Sequence, residues 1–382
     1  MGRIQFWGLF GALALSACGE SIEPNANETS TPESIPTHLH PRVTLQEQAL
    51  SLSSDSAKSD LGDRIKFKYL ASVEAPKGSV SGEYLQATSF DFYQQFAVVT
   101  YAMVGDSAEG QVDLVYVKKG SWADIHASVS FENTEFGDVA VSGKYAYLVG
   151  ASSGEHEGAV IVVMDVSSPK AFAEVGRVNL PGYYASSIAI EKSTAYIASG
   201  DNAGVIRVDI SKPSAPKIVG EHALSGILSV VRANGETYSL SGKKGTHLFK
   251  GAKFENIAQF SLDPSFAPGR MVADDNLLIT NADQSGLNIF SFRSDRIIAH
   301  EPLKGTGNGL DLYCELLFLA QGDAGLWVAD ISRPDRPDVM GHFDFPDDRG
   351  SANNVQIDKV NGTNTIFLAD GLGGFRVIAF EN

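Results

Sequence analysis

The feature that most constrains this chain is that one stretch of it is written twice. Residues 195–213 and 317–334 follow the same plan: an apolar run, a Gly-containing turn, a second apolar run, then Asp-Ile-Ser-x-Pro. Both continue to a second proline (Pro216, Pro337), a short apolar run and a glycine (Gly220, Gly341). A strand–turn–strand unit of this size cannot bury its apolar face alone, so it must stack against copies of itself. Weaker copies share the frame. The turn glycines Gly110, Gly158, Gly204, Gly245, Gly286, Gly325 and Gly373 recur at intervals of about 40–48 residues. That period, with four strands per unit, predicts an all-β propeller. The first strand of the units alternates with period two, as in Phe90/Phe92, Val139/Val141, Ile188/Ile190, Leu310/Leu312 and Val355/Ile357, which places each pair on one strand face.

The last unit stops at Asn382 after its third strand, while residues 66–74 look like a stray fourth strand. An N-terminal strand completing the last blade would close the ring and remove its edges. The expected architecture is seven four-stranded blades closed in this way, with six or eight as alternatives. The motif Gly204-Val205-Ile206-Arg207-Val208-Asp209-Ile210-Ser211 resembles the LVIVD repeat family, as do residues 325–332 and, less well, 160–167. The resemblance implies an exported or surface-associated protein with a propeller body. It carries no settled activity.

The N-terminus supplies an address. Arg3 precedes an apolar run over 4–15, too short to span a bilayer and of signal-peptide length. It ends Leu15-Ser16-Ala17-Cys18, which resembles the lipobox of bacterial lipoproteins. The expected organisation is a signal peptide over 1–17, lipidated Cys18 with a disordered tether over 18–62, and the propeller over 63–382. The tether expectation rests on a run rich in Pro, Ser, Thr and Glu without apolar periodicity. Gly19 after the cysteine, rather than Asp, favours the outer membrane over the inner. Anchoring to the membrane is expected through lipid alone. The other cysteine, Cys314, follows an apolar strand-like run and is expected to be a buried, inert thiol.

A formal net charge of −16 argues against nucleic acid as a partner, since phosphate backbones need clustered Lys and Arg. The Asp-x-Ser-x-Pro ends (Asp165, Asp209, Asp330) read as turns in which Asp and Ser bond local backbone N–H groups. Acids in the turns between second and third strands (Asp106, Glu155, Glu157, Asp201, Asp283, Asp323, Asp370) would share one face of a propeller. The candidate binding residues on that face are Asp201, Asn202, Asp283, Asp323 and Asp370, with Tyr183 and Tyr184 from a loop between units. Their ring could take Ca²⁺ or cationic groups, but the sequence has no dense acidic loop, and no metal site or cofactor is expected. No G-x-S-x-G elbow, H-E-x-x-H helix, phosphate-binding loop or dinucleotide fingerprint occurs. The expectation is a non-catalytic binding or scaffold module of the cell envelope, for a protein or glycan partner. The alternatives are an envelope hydrolase or lyase working in the channel, or a surface adhesion protein.

Overall fold

The computed structural model describes residues 38–53, 65–105, 108–118, 122–154, 157–200, 203–261, 269–282, 285–343, 345, 349–360 and 363–381. The expected signal peptide and Cys18 lie outside these residues. His38–Asn382 is one compact unit, distinct from Met1–Thr37. It is built from seven antiparallel sheets arranged in a ring.

Blade 1 runs β3 (Gln86–Tyr93), β4 (Phe96–Ala102), β5 (Gly110–Lys118) and β6 (Trp122–Phe131) from centre to rim. Blade 2 is β7 (Thr134–Ser142), β8 (Tyr145–Ser152), β9 (Gly158–Asp165) and β10 (Ala173–Asn179). Blade 3 is β11 (Ala185–Glu191), β12 (Thr194–Ser199), β13 (Gly204–Asp209) and β14 (Lys217–His222). Blade 4 is β15 (Ile227–Ala233), β16 (Glu236–Ser241), β17 (His247–Lys250) and β18 (Glu255–Gln259). Blade 5 is β19 (Gly269–Ala273), β20 (Leu277–Ala282), β21 (Gly286–Ser291) and β22 (Arg296–Glu301). Blade 6 is β23 (Gly309–Tyr313), β24 (Leu316–Ala320), β25 (Leu326–Asp330) and β26 (Asp338–Phe343). Blade 7 takes β27 (Asn354–Val360), β28 (Thr363–Ala369) and β29 (Phe375–Glu381) from the C-terminus and β2 (Lys66–Val73) from the N-terminal side.

The ring therefore closes as the sequence implies. β2 pairs with β29 from Lys66↔Glu381 to Val73↔Phe375. Phe67, Tyr69, Leu70 and Val73 are buried by this pairing. Phe67 packs edge-on against Phe343 of blade 6 at 4.7 Å between ring centres, so the strand joins blades as well as completing one.

The domain boundary needs correction. Residues 38–53, expected to be part of the tether over 18–62, belong to the body. β1 (Val43–Leu50) adds a fifth strand to blade 7 outside β2. Val43 and Leu45 pack on the core between blades 7 and 1, and Leu50 and Leu52 on the core between blades 6 and 7. A register shift between Leu45 and Gln48 interrupts the alternation, which is why period-two reasoning misses the strand. Arg42 fastens this segment to blade 1 through Asp113, with Nη2 2.7 Å from Oδ2 of a fully buried carboxylate.

Cys314 is a second correction. It does not sit in the core but is exposed in the two-residue turn between β23 and β24, at φ +55°. The hairpin needs a left-handed residue there, which places the side chain at the surface.

The turn glycines behave as expected on the whole. Gly204 has φ +81°, and a Cβ there would lie 2.2 Å from the His222 carbonyl oxygen. In the last unit the left-handed position is Gly374, one residue after the expected Gly373. The Asp-x-Ser ends are turn devices. Oδ1 of Asp165, Asp209 and Asp330 accepts the backbone N–H of Ser167, Ser211 and Ser332 at 2.9, 2.9 and 2.7 Å.

Candidate functional site: the channel and its polar ring

The inner strands surround the central channel. All seven inner strands line a cavity of about 250 Å³. Its contents follow from a simple pattern in the sequence. Where two apolar residues flank an acid, as in Phe90-Asp91-Phe92 and Leu310-Asp311-Leu312, the apolar pair faces the core and the acid turns the other way.

These acids bond the neighbouring blade. Asp91 Oδ2 accepts the Val141 N–H of blade 2 at 2.6 Å, while Oδ1 accepts the Phe92 N–H at 2.8 Å. Asp311 repeats the device on blade 7, accepting Ile357 N–H at 2.7 Å and Leu312 N–H at 2.9 Å. Burial raises both carboxyls to about 6, against the pull of those amides; the nearby Asp138 adds to the rise at Asp91.

One ion pair spans the ring. Arg270 on β19 of blade 5 reaches blade 2, with Nη1 2.8 Å from Asp138 Oδ2. The same guanidinium donates to the Ser186 carbonyl at 2.7 Å and the Gly137 carbonyl at 3.1 Å. Asp138 also accepts the Ser89 hydroxyl at 2.8 Å and the Ile188 N–H at 3.0 Å. Asn354 of blade 7 donates to Ser89 at 3.0 Å. A chain Asn354–Ser89–Asp138–Arg270 thus ties blades 7, 1, 2 and 5. Its charge is neutralised and its lone pairs are largely used, which is the condition for holding ionised groups away from water. Near this chain, Glu135 on β7 has a carboxyl that burial pushes up to about 7. Burial also raises the phenol of Tyr184, and Glu135 adds to that rise.

Of the binding residues singled out from sequence, the described ones, Asp323, Asp370, Tyr183 and Tyr184, occupy different settings. Asp201, Asn202 and Asp283, with Asp106 and Glu155, lie outside the described residues. Asp323 is exposed in a turn of blade 6. Asp370 is buried, and Oδ2 lies 2.5 Å from Nε of Arg376, itself 2% exposed. That carboxylate serves the interior of blade 7, not the channel mouth. The two tyrosines part company. Tyr183 is 65% exposed. Tyr184 turns inward, its hydroxyl over Gly137, where any Cβ would lie 2.3 Å away. Among the described residues no group of three or more His, Cys, Asp or Glu is placed to hold a metal ion.

Three stretches match the LVIVD repeat. They cover residues 135–180, 182–223 and 305–344, which are blade 2, blade 3 and blade 6 with their flanking loops. No curated protein matches the chain. Among solved structures, the computationally designed protein Ika8 is similar, with a TM-score of 0.51 at 13% identity over 87% of this chain and 96% of that one. At that identity the likeness concerns the fold alone. The chain is a seven-bladed β-propeller carrying LVIVD repeats.

Sequence reasoning missed Asp91, Asp138, Arg270 and Asp311. For Asp91 and Asp311 the signal was present: an acid between two core-facing residues of an inner strand. For the Arg270–Asp138 pair, 132 residues apart, no local signal exists.

Proposed function

We propose that this protein is a lipid-anchored component of a bacterial cell envelope, and that its propeller is a non-catalytic binding or scaffold module presenting its loops to a protein or glycan partner. The observation that carries the module reading is the employment of the charges on the inner strands. Asp91, Asp138 and Asp311 each hold an amide of the adjacent blade, and Arg270 is saturated by a carboxylate and two carbonyls. Groups locked in this way brace a ring; a catalytic acid or base needs a protonation state free to change during turnover. The alternative, a hydrolase or lyase acting in the channel, would rest on Glu135, whose raised carboxyl suits a general acid. Around it lie the Tyr184 phenol and the Asp138 carboxylate, the latter already paired with Arg270.

The anchoring rests on the leader, with its short apolar run and Leu15-Ser16-Ala17-Cys18. Gly19 supports the outer membrane as the destination. Cys18→Ser tests it: metabolic lipid labelling should vanish and membrane-fraction protein should appear as precursor or soluble chain. Unchanged labelling and fractionation would remove the lipoprotein reading. Crosslinking from intact envelopes, with Tyr183 as the attachment point, should recover a partner, and a blank would remove the binding reading.

A further inference from the structure

Blades 3 and 4 line a second cavity, open on one side and of about 260 Å³, away from the central channel. Two arginines line it, Arg207 on β13 and Arg232 on β15, together with His222, Tyr196, Phe254 and Thr237. Arg207 stands where the other LVIVD repeats put valine, and Arg232 where most blades put an aliphatic or aromatic side chain, blade 7 having Lys359 at that step. Arg207 pairs in register with Gly220. The matching pairs in the other two LVIVD repeats are Val163↔Gly176 and Val328↔Gly341. Arg232 pairs with Thr237 one step before its hairpin turn, and the same step holds Phe92, Val141, Ile190, Ala273 and Leu312 in blades 1, 2, 3, 5 and 6. Two departures from the repeat, on two blades, meet in one cavity.

The two guanidinium groups differ in how they are satisfied. Arg232 is paired with Glu191 at 2.7 Å, donates to Thr237 at 2.7 Å and Gly235 O at 2.8 Å, and lies over the Tyr196 ring at 4.7 Å. Its Nε is nevertheless buried without an acceptor. Arg207 has no such compensation. Its Nε is buried without an acceptor, and no carboxylate among the described residues pairs with it. Gly220 leaves the room it occupies, since a Cβ there would fall 2.4 Å from Nη2. A buried guanidinium N–H without a partner is costly. A chain with net charge −16 has carboxylates in plenty, yet among the described residues none is set against this one. Glu236, the acid that lines the cavity, is exposed and makes no ion pair with Arg207.

We propose that this interblade cavity binds the oxyanion group of a small solute, a phosphate or a carboxylate. Arg207 supplies the planar fork, the Nε of Arg232 a second donor and His222 a third. Tyr196 and Phe254 wall the small organic body attached to the anion. An oxyanion fits because it offers coplanar acceptors to the guanidinium edge, an arrangement a chloride ion cannot reproduce. This proposal stands independently of membrane anchoring and of any macromolecular partner.

The test titrates the intact chain with inorganic phosphate and, separately, with acetate, against sodium chloride at matched ionic strength. Saturable heat on titration and a rise in thermal midpoint of about 2 °C for at least one oxyanion are expected for the wild type. In R207V, which installs the residue found at the same register in the other repeats, affinity should fall at least about tenfold, the scale of losing a charge-assisted bidentate contact. R207K should fall between the two. General stabilisation by kosmotropic salts is common to all three proteins and cancels in the comparison. R207V should fold, and a thermal midpoint at or above that of the wild type in chloride would show that Arg207 has no structural duty. The proposal is overturned if neither oxyanion exceeds chloride for the wild type, or if R207V retains the wild-type response.

Discussion

The closing blade offers the sharpest test of how this ring is held together. Consider versions of the chain that start at residue 38, 54 or 76. The first keeps the whole compact unit. The second loses β1, and with it the partly buried Val43, Leu45, Leu50 and Leu52. At about half of the 1.5–3 kcal/mol that full burial of such side chains contributes, the loss is roughly 3–6 kcal/mol. Removing Arg42 also takes from the fully buried Asp113 its one cationic partner among the described residues, leaving neutral donors such as Gln111 and Ser128. The third version loses β2 as well. Phe67, Tyr69, Leu70 and Val73, all nearly or fully buried, add roughly 6–12 kcal/mol. The backbone edge of β29 is then unpaired and open to association with another chain. The sum is comparable with the roughly 5–15 kcal/mol stability of a whole domain. Urea unfolding followed by circular dichroism should therefore give a native midpoint for the first version and a clearly lowered one for the second. The third should yield aggregated or unfolded material. Equal midpoints for the first two would refute the role of β1; a natively stable third version would refute closure by β2.

Two further predictions concern charged residues of the inner strands. Asp311 has its carboxyl raised to about 6 by burial, above the ordinary value of 3.8, so the folded state binds the proton more tightly than the unfolded chain. Stability from this group is complete below about pH 4 and declines as pH rises to about 6. Asp311→Asn should match the wild type near pH 4 and exceed it by up to about 3 kcal/mol at pH 7, less what the weaker amide acceptor gives back; parallel pH profiles in chemical denaturation would contradict the burial argument. Arg270→Met should cost about 3–5 kcal/mol because Asp138 is left charged and uncompensated, and adding Asp138→Asn should restore a large part of it. Additive losses in that double-mutant cycle would show that the pair is not coupled across the channel.

Much of the architecture was written locally. The duplicated strand–turn–strand unit demanded stacked copies, its period demanded blades, and the strand-like run 66–74 ahead of the first full unit is the outer strand that pairs with β29. The Asp-x-Ser ends were legible for the same reason: their bonds run over two residues. Short-range chemistry of this kind depends on spacing, and spacing is what a sequence displays. What the tertiary structure decided lies at longer range. β1 carries an interrupted alternation and becomes a strand only because β2 is already in place to pair with it. Asp370 and Tyr184 looked like surface candidates, yet Arg376 draws one into blade 7 and the bare backbone at Gly137 admits the other towards the channel. Arg207 and Arg232 are visible in the sequence as two scattered substitutions within a repeat. They become a site because the ring sets blade 3 against blade 4, and neither side chain encodes that contact alone. Arg270 and Asp138 are the extreme case, since a pairing between blades 5 and 2 exists only once the circle is closed.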